Sequence, residues 1–221
     1  MLKIFLIILS SAILSLNASN LIKANQALQQ NNIDQAINLY KLSAREGEDE
    51  ANFQLGKIYY LKKYQKRDID KAFEYFKKAA DYEHLKAKYN IAMIYSQKKF
   101  KLHNYKKAYN IFFTLAQEDE PKSQYMVGIY RIYGFGIEKD YSLAKKWVER
   151  AYFINGYKEA SCAISLIYAE GFGVIQNLGR ARKFSERYVK TFPLCEKVFY
   201  DFNLYKDKYK SDKGFKFGHY R

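Results

Sequence analysis

The sequence predicts an all-α fold in which helix-turn-helix repeats stack in series as a solenoid. Three observations carry that prediction. Asn32, Asp68, Asn104 and Asp140 stand 36 residues apart and Asn177 follows 37 later, although Asn and Asp together fill only 23 of 221 positions. An alanine comes four residues after each of them: Ala36, Ala72, Ala108, Ala144 and Ala181. Upstream, Ala51, Ala87, Ser123 and Ala160 recur at the same interval. Each is followed four residues on by Leu55, Ile91, Val127 or Ile164 and then by Gly56, Ala92, Gly128 or Ser165. Self-similarity at such a period marks architectures in which one small unit buries its face only against its neighbours.

Each column has a physical reading. An Asn or Asp at a helix N-cap accepts a hydrogen bond from an otherwise unpaired first-turn amide, a contribution of about 1 kcal/mol. The small residue that follows lets another helix approach. Apolar positions then keep helical spacing, as in Ala72, Tyr75, Phe76, Ala79 and in Ala144, Trp147, Val148, Ala151. These are the B helices, and the upstream set forms the A helices. Turn-like segments join each B to the next A: "REGEDEA", "DYEHLKA", "QEDEPKS" and "INGYKEA". The repeats occupy 19–193, in units near 20–46, 47–82, 83–118, 119–155 and 156–192. Residues 194–221 read as a capping helix, over 194–208, running into a basic, aromatic tail.

Within this frame "YGFGIEKDYSLAKKW" at 133–147 is answered by "AEGFGVIQNLGRARKF", so that Gly134 and Gly136 recur as Gly171 and Gly173. The pair ends an A helix and opens the A–B loop, where positive φ or a tight backbone approach is needed. It lacks the third glycine and preceding strand of a dinucleotide fingerprint, and the Lys-Ser/Thr of a phosphate-binding loop. It is a hinge.

The chain begins with Lys3, an apolar run from Ile4 to Leu16 broken by Ser10, Ser11 and Ser15, and "LNASN" with Ala18 at a cleavage position. That is the grammar of a secretory signal peptide over 1–18, and the run falls short of the roughly 20 residues of a spanning helix. The expectation is a periplasmic or secreted protein with no integral membrane segment after cleavage; an uncleaved anchor is the alternative. The formal charge is +15, from 38 Lys and Arg against 23 Asp and Glu. In a cytosolic protein this would put nucleic acid first among partners. Export and the dispersal of the charge argue against it, so no nucleic-acid partner is expected.

Cys162 and Cys195 are too few to replace a core, but an oxidising compartment permits a bond between them. Cys162 lies in the last full A helix and Cys195 opens the capping helix beside it. Neighbouring axes about 8–10 Å apart allow bridging if the two side chains face each other. They are either a disulfide that staples the cap or two buried thiols.

These columns resemble the Sel-one-like repeat, a tetratricopeptide-like helix pair. Residues 160–188 follow its pattern through Ala160, Ile164, Tyr168, Gly171, Gly173, Val174, Asn177 and Ala181. Residues 123–151 follow through Val127, Gly128, Gly134, Gly136, Ile137, Asp140, Ala144, Trp147 and Ala151. Leu55-Gly56-Tyr59 and Ile91-Ala92-Tyr95 keep the A-helix part, but "LKKYQKR" and "SQKKFKLH" stand where the glycines belong, and Arg131 replaces the usual tyrosine. The resemblance implies a right-handed superhelix whose A helices line a concave face. It also implies a scaffold that binds proteins or peptides in the bacterial cell envelope, as a monomer and without a cofactor. By analogy with tetratricopeptide grooves the partner-binding positions are Phe53, Lys57 and Tyr60; Lys86, Tyr89 and Met93; and Lys122 and Tyr125. Tyrosine and lysine there suit an acidic peptide. The competing reading makes Phe53, Tyr89 and Tyr125 inter-repeat core.

The same resemblance raises two other functions: a β-lactam-binding or -hydrolysing enzyme, and a secreted factor acting on a host. The enzyme reading would need a Ser-x-x-Lys, and two occur, Ser96–Lys99 and Ser142–Lys145. Neither has the Ser-Asp-Asn or Lys-Thr-Gly partners of the serine enzymes, so no catalytic residue is assigned. His84, His103 and His219 have no second His or Cys at ligand spacing, so no metal is expected. His84 instead occupies a place where the repeat pattern itself often carries histidine.

Overall fold

The computed structural model describes residues 20–206. The expected signal segment 1–18, the tail from 207 and His219 lie outside them. Helix follows helix along the described chain: α1 (20–29), α2 (Ile33–Arg45), α3 (Asp49–Tyr60), α4 (Ile69–Ala80), α5 (Leu85–Tyr95), α6 (Tyr105–Gln117), α7 (Pro121–Tyr133), α8 (Tyr141–Glu149), α9 (Ala160–Glu170), α10 (Leu178–Ser185) and α11 (Pro193–Asp201). There is no strand among the described residues. The chain divides into two compact units, Met1–His103 and Asn104–Arg221.

Every expected cap is formed. Asn32, Asp68, Asn104, Asp140 and Asn177 each accept the amide three residues on, of Gln35, Lys71, Lys107, Leu143 and Arg180, at 2.8–3.4 Å. Four of the capping residues also tie their helix to the one before it, Asn32 through its amide to the Ala27 carbonyl of α1 (2.8 Å). The amide of Asp68 donates to the Tyr59 carbonyl (2.9 Å), that of Asp140 to Arg131 (3.1 Å) and that of Asn177 to Tyr168 (2.9 Å). In the first unit this bond survives although the α3–α4 loop has no glycine. A short 3₁₀ turn, Lys62–Tyr64, closes on Gln65 at φ 56° instead.

The small columns lie where helices touch. Ala36, Ala72, Ala108, Ala144 and Ala181 are all 0% exposed, as are Ala51, Ala87, Ser123 and Ala160. A Cβ on Gly56 would stand 2.5 Å from the Phe76 ring, and one on Gly128 would strike Val148. These A-helix glycines therefore set how near the following B helix comes. Gly136 does a different job. Its φ is +68°, and a Cβ there would lie 2.6 Å from the Lys106 amide nitrogen, so the α7–α8 loop rests on the first turn of α6. Gly173 repeats the arrangement against Tyr141 of α8. The hinge glycines thus serve both backbone conformation and close approach.

In the first unit α2 packs on α3, α3 on α4 and α4 on α5. Its core joins Ala24 and Ala27 of α1 to Ile37, Tyr40, Leu55 and Ile58. Tyr40 is fully buried and its hydroxyl donates to Asn25 Oδ1 at 2.6 Å, which fastens α1 to the pair behind it. Burial, with a smaller effect of the Glu50 charge, pushes the Tyr40 phenol up to about 12. In the second unit α6 to α10 pack in the same serial way. A π-helical turn, Arg150–Ile154, extends α8.

The C-terminal end of the second unit is closed by α11. Cys162 of α9 and Cys195 of α11 are joined by a disulfide, with S–S 2.11 Å and Cα–Cα 4.6 Å. Beyond α11, Leu204 is fully buried in the same core. Arg182 holds the strand of chain that carries it, donating to the carbonyls of Leu204 (2.7 Å) and Lys206 (3.1 Å).

Two expectations follow. The cysteines are 33 residues apart, and on the loop-entropy model such a crosslink stabilises by about 3–4 kcal/mol. Reduction, or paired Cys162→Ala and Cys195→Ala, should lower the urea midpoint of the second unit accordingly; an unchanged midpoint would contradict it. The unfolded Tyr40 phenol titrates near its ordinary value of about 10 and the folded one higher. Its stabilising effect is therefore complete below the unfolded value and lost as pH rises through about 12. Tyr40→Phe should flatten part of the alkaline loss of stability measured by denaturant melts; an identical pH slope would refute the assignment.

Candidate functional site

The A-helix positions fall into two groups, one in each unit. On α3, Phe53, Lys57 and Tyr60 recur at i, i+4 and i+7. Phe53 is buried, 7% exposed, with its ring stacked on His84 (centroids 4.3 Å) and tilted on Phe76 (5.9 Å). It belongs to the core between helices, the second of its two expected roles. Lys57 is half-buried. Its ammonium lies over the Phe53 ring at 5.4 Å and donates to Gln54 Oε1 at 2.9 Å. Gln54 in turn donates to Glu50 Oε1 (2.5 Å), so a polar ladder runs along α3. Tyr60 is half-buried edge-on to Phe76, and its hydroxyl accepts from Gln97 Nε2 at 3.3 Å. Burial raises its pKa, partly offset by the Arg67 charge and the Gln97 bond, so the phenol stays neutral at physiological pH.

On α5, Lys86 is exposed while Tyr89 and Met93 are half-buried at i+3 and i+7. In the second unit Lys122 is exposed in the first turn of α7. Tyr125 is half-buried against the Tyr157 ring, at 5.6 Å. The first unit thus presents Lys57, Tyr60, Lys86, Tyr89 and Met93, and the second Lys122 and Tyr125. These are three lysines, three half-covered tyrosines and a methionine; the tyrosines offer contact area at little loss of side-chain entropy.

The two histidines among the described residues are structural. His84 is the N-cap of α5: Nδ1 accepts the Ala87 amide at 3.2 Å, which leaves the proton on Nε2, 3.2 Å from Glu50 Oε2. Stacked on Phe53 as well, it locks α5 to α3. His103 Nδ1 faces the Tyr95 carbonyl at 2.9 Å and donates to it. Tyr95 is one repeat on from Tyr59, so the imidazole serves the carbonyl that the Asp68 amide serves in the preceding repeat. Among the described residues no group of three His, Cys, Asp or Glu could hold a metal ion.

Both Ser-x-x-Lys pairs lie at helix ends. The Ser96 hydroxyl donates to the Ala92 carbonyl at 2.7 Å, within its own helix end, and Lys99 is exposed. Ser142 is exposed in the first turn of α8, and Lys145 pairs with Glu149 on the same helix at 2.7 Å.

One feature was not read from the sequence. In the first unit the ends of α2 and α4 and the start of α3 enclose an open cleft of about 790 Å³. Lys41, Arg45, Lys78, Asp81, Asn52, Tyr75 and Tyr82 line it. No single column signals it, because three helices supply its walls. Among the described residues no helix is long and apolar enough to cross a membrane.

Comparison with known proteins agrees with this geometry. The chain is similar in structure to a Sel1 repeat protein from Oxalobacter formigenes, with 21% identity over 82% of this chain and 74% of that one, at a TM-score of 0.65. It is also similar to a protective antigen of uropathogenic Escherichia coli strains that displays an SLR fold. There the TM-score is 0.70 at 21% identity, over 87% of this chain and 43% of the other. A search of curated proteins finds no match. The family model for the Sel1 repeat matches residues 26–48, 49–81, 121–152 and 158–187. Those segments leave out the stretch where "SQKKFKLH" replaces the loop glycines. Repeats of this kind generally act as protein–protein interaction scaffolds. With more than half of its length matched, and with caps, small columns and helix pairs in the register described above, the chain belongs to the Sel1 repeat family.

Proposed function

We propose that the protein is an exported scaffold that captures protein or peptide partners in the bacterial cell envelope. The observation that carries this reading is the set of A-helix side chains left accessible by repeat packing: Lys57, Tyr60, Lys86, Tyr89 and Met93 in the first unit and Lys122 and Tyr125 in the second. Ammonium groups steer an acidic partner and half-covered aromatics supply contact area. Export is supported by the run from Ile4 to Leu16 ahead of Ala18, and by a disulfide, which persists in oxidising compartments. A monomer meets this function without further contacts.

Crosslinking from intact envelopes, followed by pull-down, tests the reading. The triple variant Lys57→Glu, Lys86→Glu, Lys122→Glu should keep its helical circular dichroism and lose most of the captured material. Undiminished capture would remove the A-helix surface from consideration. Fractionation in the same experiment separates a periplasmic scaffold from a secreted, host-directed one. A purified chain that hydrolyses a chromogenic β-lactam, with loss on Ser96→Ala or Ser142→Ala, would replace both.

A further inference from the structure

The two units repeat each other at a shift of 72 residues, which places α2, α3 and α4 on α6, α7 and α8. The cleft at the ends of α2 and α4 therefore has a counterpart in the second unit, and the counterpart is filled. There Asp119, in the α6–α7 turn, accepts from Gln124 Nε2 (3.1 Å) and from Arg150 Nε (3.0 Å) and Nη2 (2.7 Å). Gln124 is fully buried. It also donates to the Ala116 carbonyl (3.2 Å) and accepts from Asn155 (2.8 Å). Beside this network Phe113 meets Trp147 edge-on at 5.9 Å.

In the first unit the receiving groups remain and the carboxylate does not. Asn52 stands for Gln124, Lys78 for Arg150, and Gly47 for Asp119. Asn52 is 5% exposed and among the described residues no hydrogen bond reaches its side chain. Lys78 has no ion pair among the described residues, and neither do Lys41 and Arg45. A Cβ on Gly47 would meet nothing within 4 Å, although its φ of +94° strains any side chain there. The apolar pair Phe113–Trp147 is replaced by Lys41 and Tyr75, so the wall gains a charge. The lining holds three cations against one carboxylate, Asp81. Cations in the last turn of a helix complement its dipole. That accounts for Arg45 and Lys78 but not for Asn52, whose side chain opens onto the cleft where an incoming acceptor can take its amide.

We propose that this cleft binds a carboxylate of an incoming peptide, which takes in the first unit the place that Asp119 holds in the second. Lys78, flanked by Lys41 and Arg45, supplies charge-assisted hydrogen bonds and Asn52 donates from the floor. Tyr75, held by Tyr59 (5.7 Å, parallel) and covered by Lys78 at 5.4 Å, and the exposed Tyr82 flank the adjoining residue. The site is separate from the A-helix surface and stands whether or not that surface binds anything.

Two peptides labelled with an uncharged boron-dipyrromethene dye distinguish the source of the carboxylate. One is Gly-Ser-Gln-Ala with a free C-terminus, the other Gly-Glu-Asp-Glu with an amidated C-terminus. Each is titrated by fluorescence anisotropy against the full chain, and against Gly47→Asp, Lys78→Gln and, as a control for net charge, Lys62→Gln. At least one peptide should bind, weakening as salt rises. Gly47→Asp, which supplies the missing carboxylate internally, and Lys78→Gln should each weaken it about tenfold or more. Lys62→Gln should not. Binding of the first peptide alone identifies a chain terminus, and binding of the second alone an acidic side chain. The proposal is overturned if neither binds at about 1 mM, or if affinity is the same in Gly47→Asp and Lys78→Gln as in the parent chain. If Gly47→Asp does not fold, Lys78→Gln and Asn52→Ala decide the outcome alone.

Discussion

Four of the five B helices are each fixed by one short polar residue that makes two bonds at once. The side-chain oxygen of Asn32, Asp68, Asp140 or Asn177 closes the first turn of its own helix, while its amide donates to a carbonyl near the end of the helix before it. The first bond sets where the helix begins and the second where it begins relative to its partner. Once that point is pinned, the small residues do the rest. Ala72 and Gly56, or Ala144 and Gly128, leave room for the two helices to meet at Phe76 or Val148. A glycine in the loop is one way of satisfying this constraint and not a requirement of it. The α3–α4 loop reaches the same bond through a 3₁₀ turn, and the Tyr95 carbonyl is met by the His103 ring instead.

A frame pinned in this way frees the ends of the helices to diverge. The turn after α6 carries Asp119, which pairs Arg150 and anchors Gln124. The equivalent turn after α2 carries Gly47 and offers no carboxylate to Asn52 or Lys78. The π-helical turn at Arg150–Ile154 contributes to the filled version, since Arg150 and Asn155 on either end of it both join the network. The first unit has no such turn after α4. The same backbone thus supports a closed polar cluster in one unit and an open cationic cleft in the other.

How much of this was legible in the sequence depends on how many chain segments a feature needs. Caps, buried alanines and hinge glycines are set by residues three to five apart and their periodic return, so Asn32 through Asn177 announce themselves. The role of His103 was hidden because its partner is a carbonyl, and carbonyls carry no residue signature. The choice between a bond and two thiols at Cys162 and Cys195 turned on which faces of α9 and α11 meet, which spacing along one helix cannot say. Phe53 could be groove or core for the same reason: the stacking partner that buries it, His84, comes from the next repeat. The cleft draws on α2, α3 and α4 together. Its one sequence signal is a comparison across two repeats that sets Gly47 beside Asp119 and Asn52 beside Gln124.

Amide hydrogen exchange reads the doubly bonded capping residue directly. The amides of Asp68, Asp140 and Asn177 sit at the mouths of loops, where an unbonded N–H would exchange at nearly the unfolded rate. They are predicted instead to exchange as slowly as amides inside the helices they join, together with the capped amides of Lys71, Leu143 and Arg180. Fast exchange at all three capping residues, with protection confined to helix interiors, would mean that the A and B helices are held by apolar contact alone.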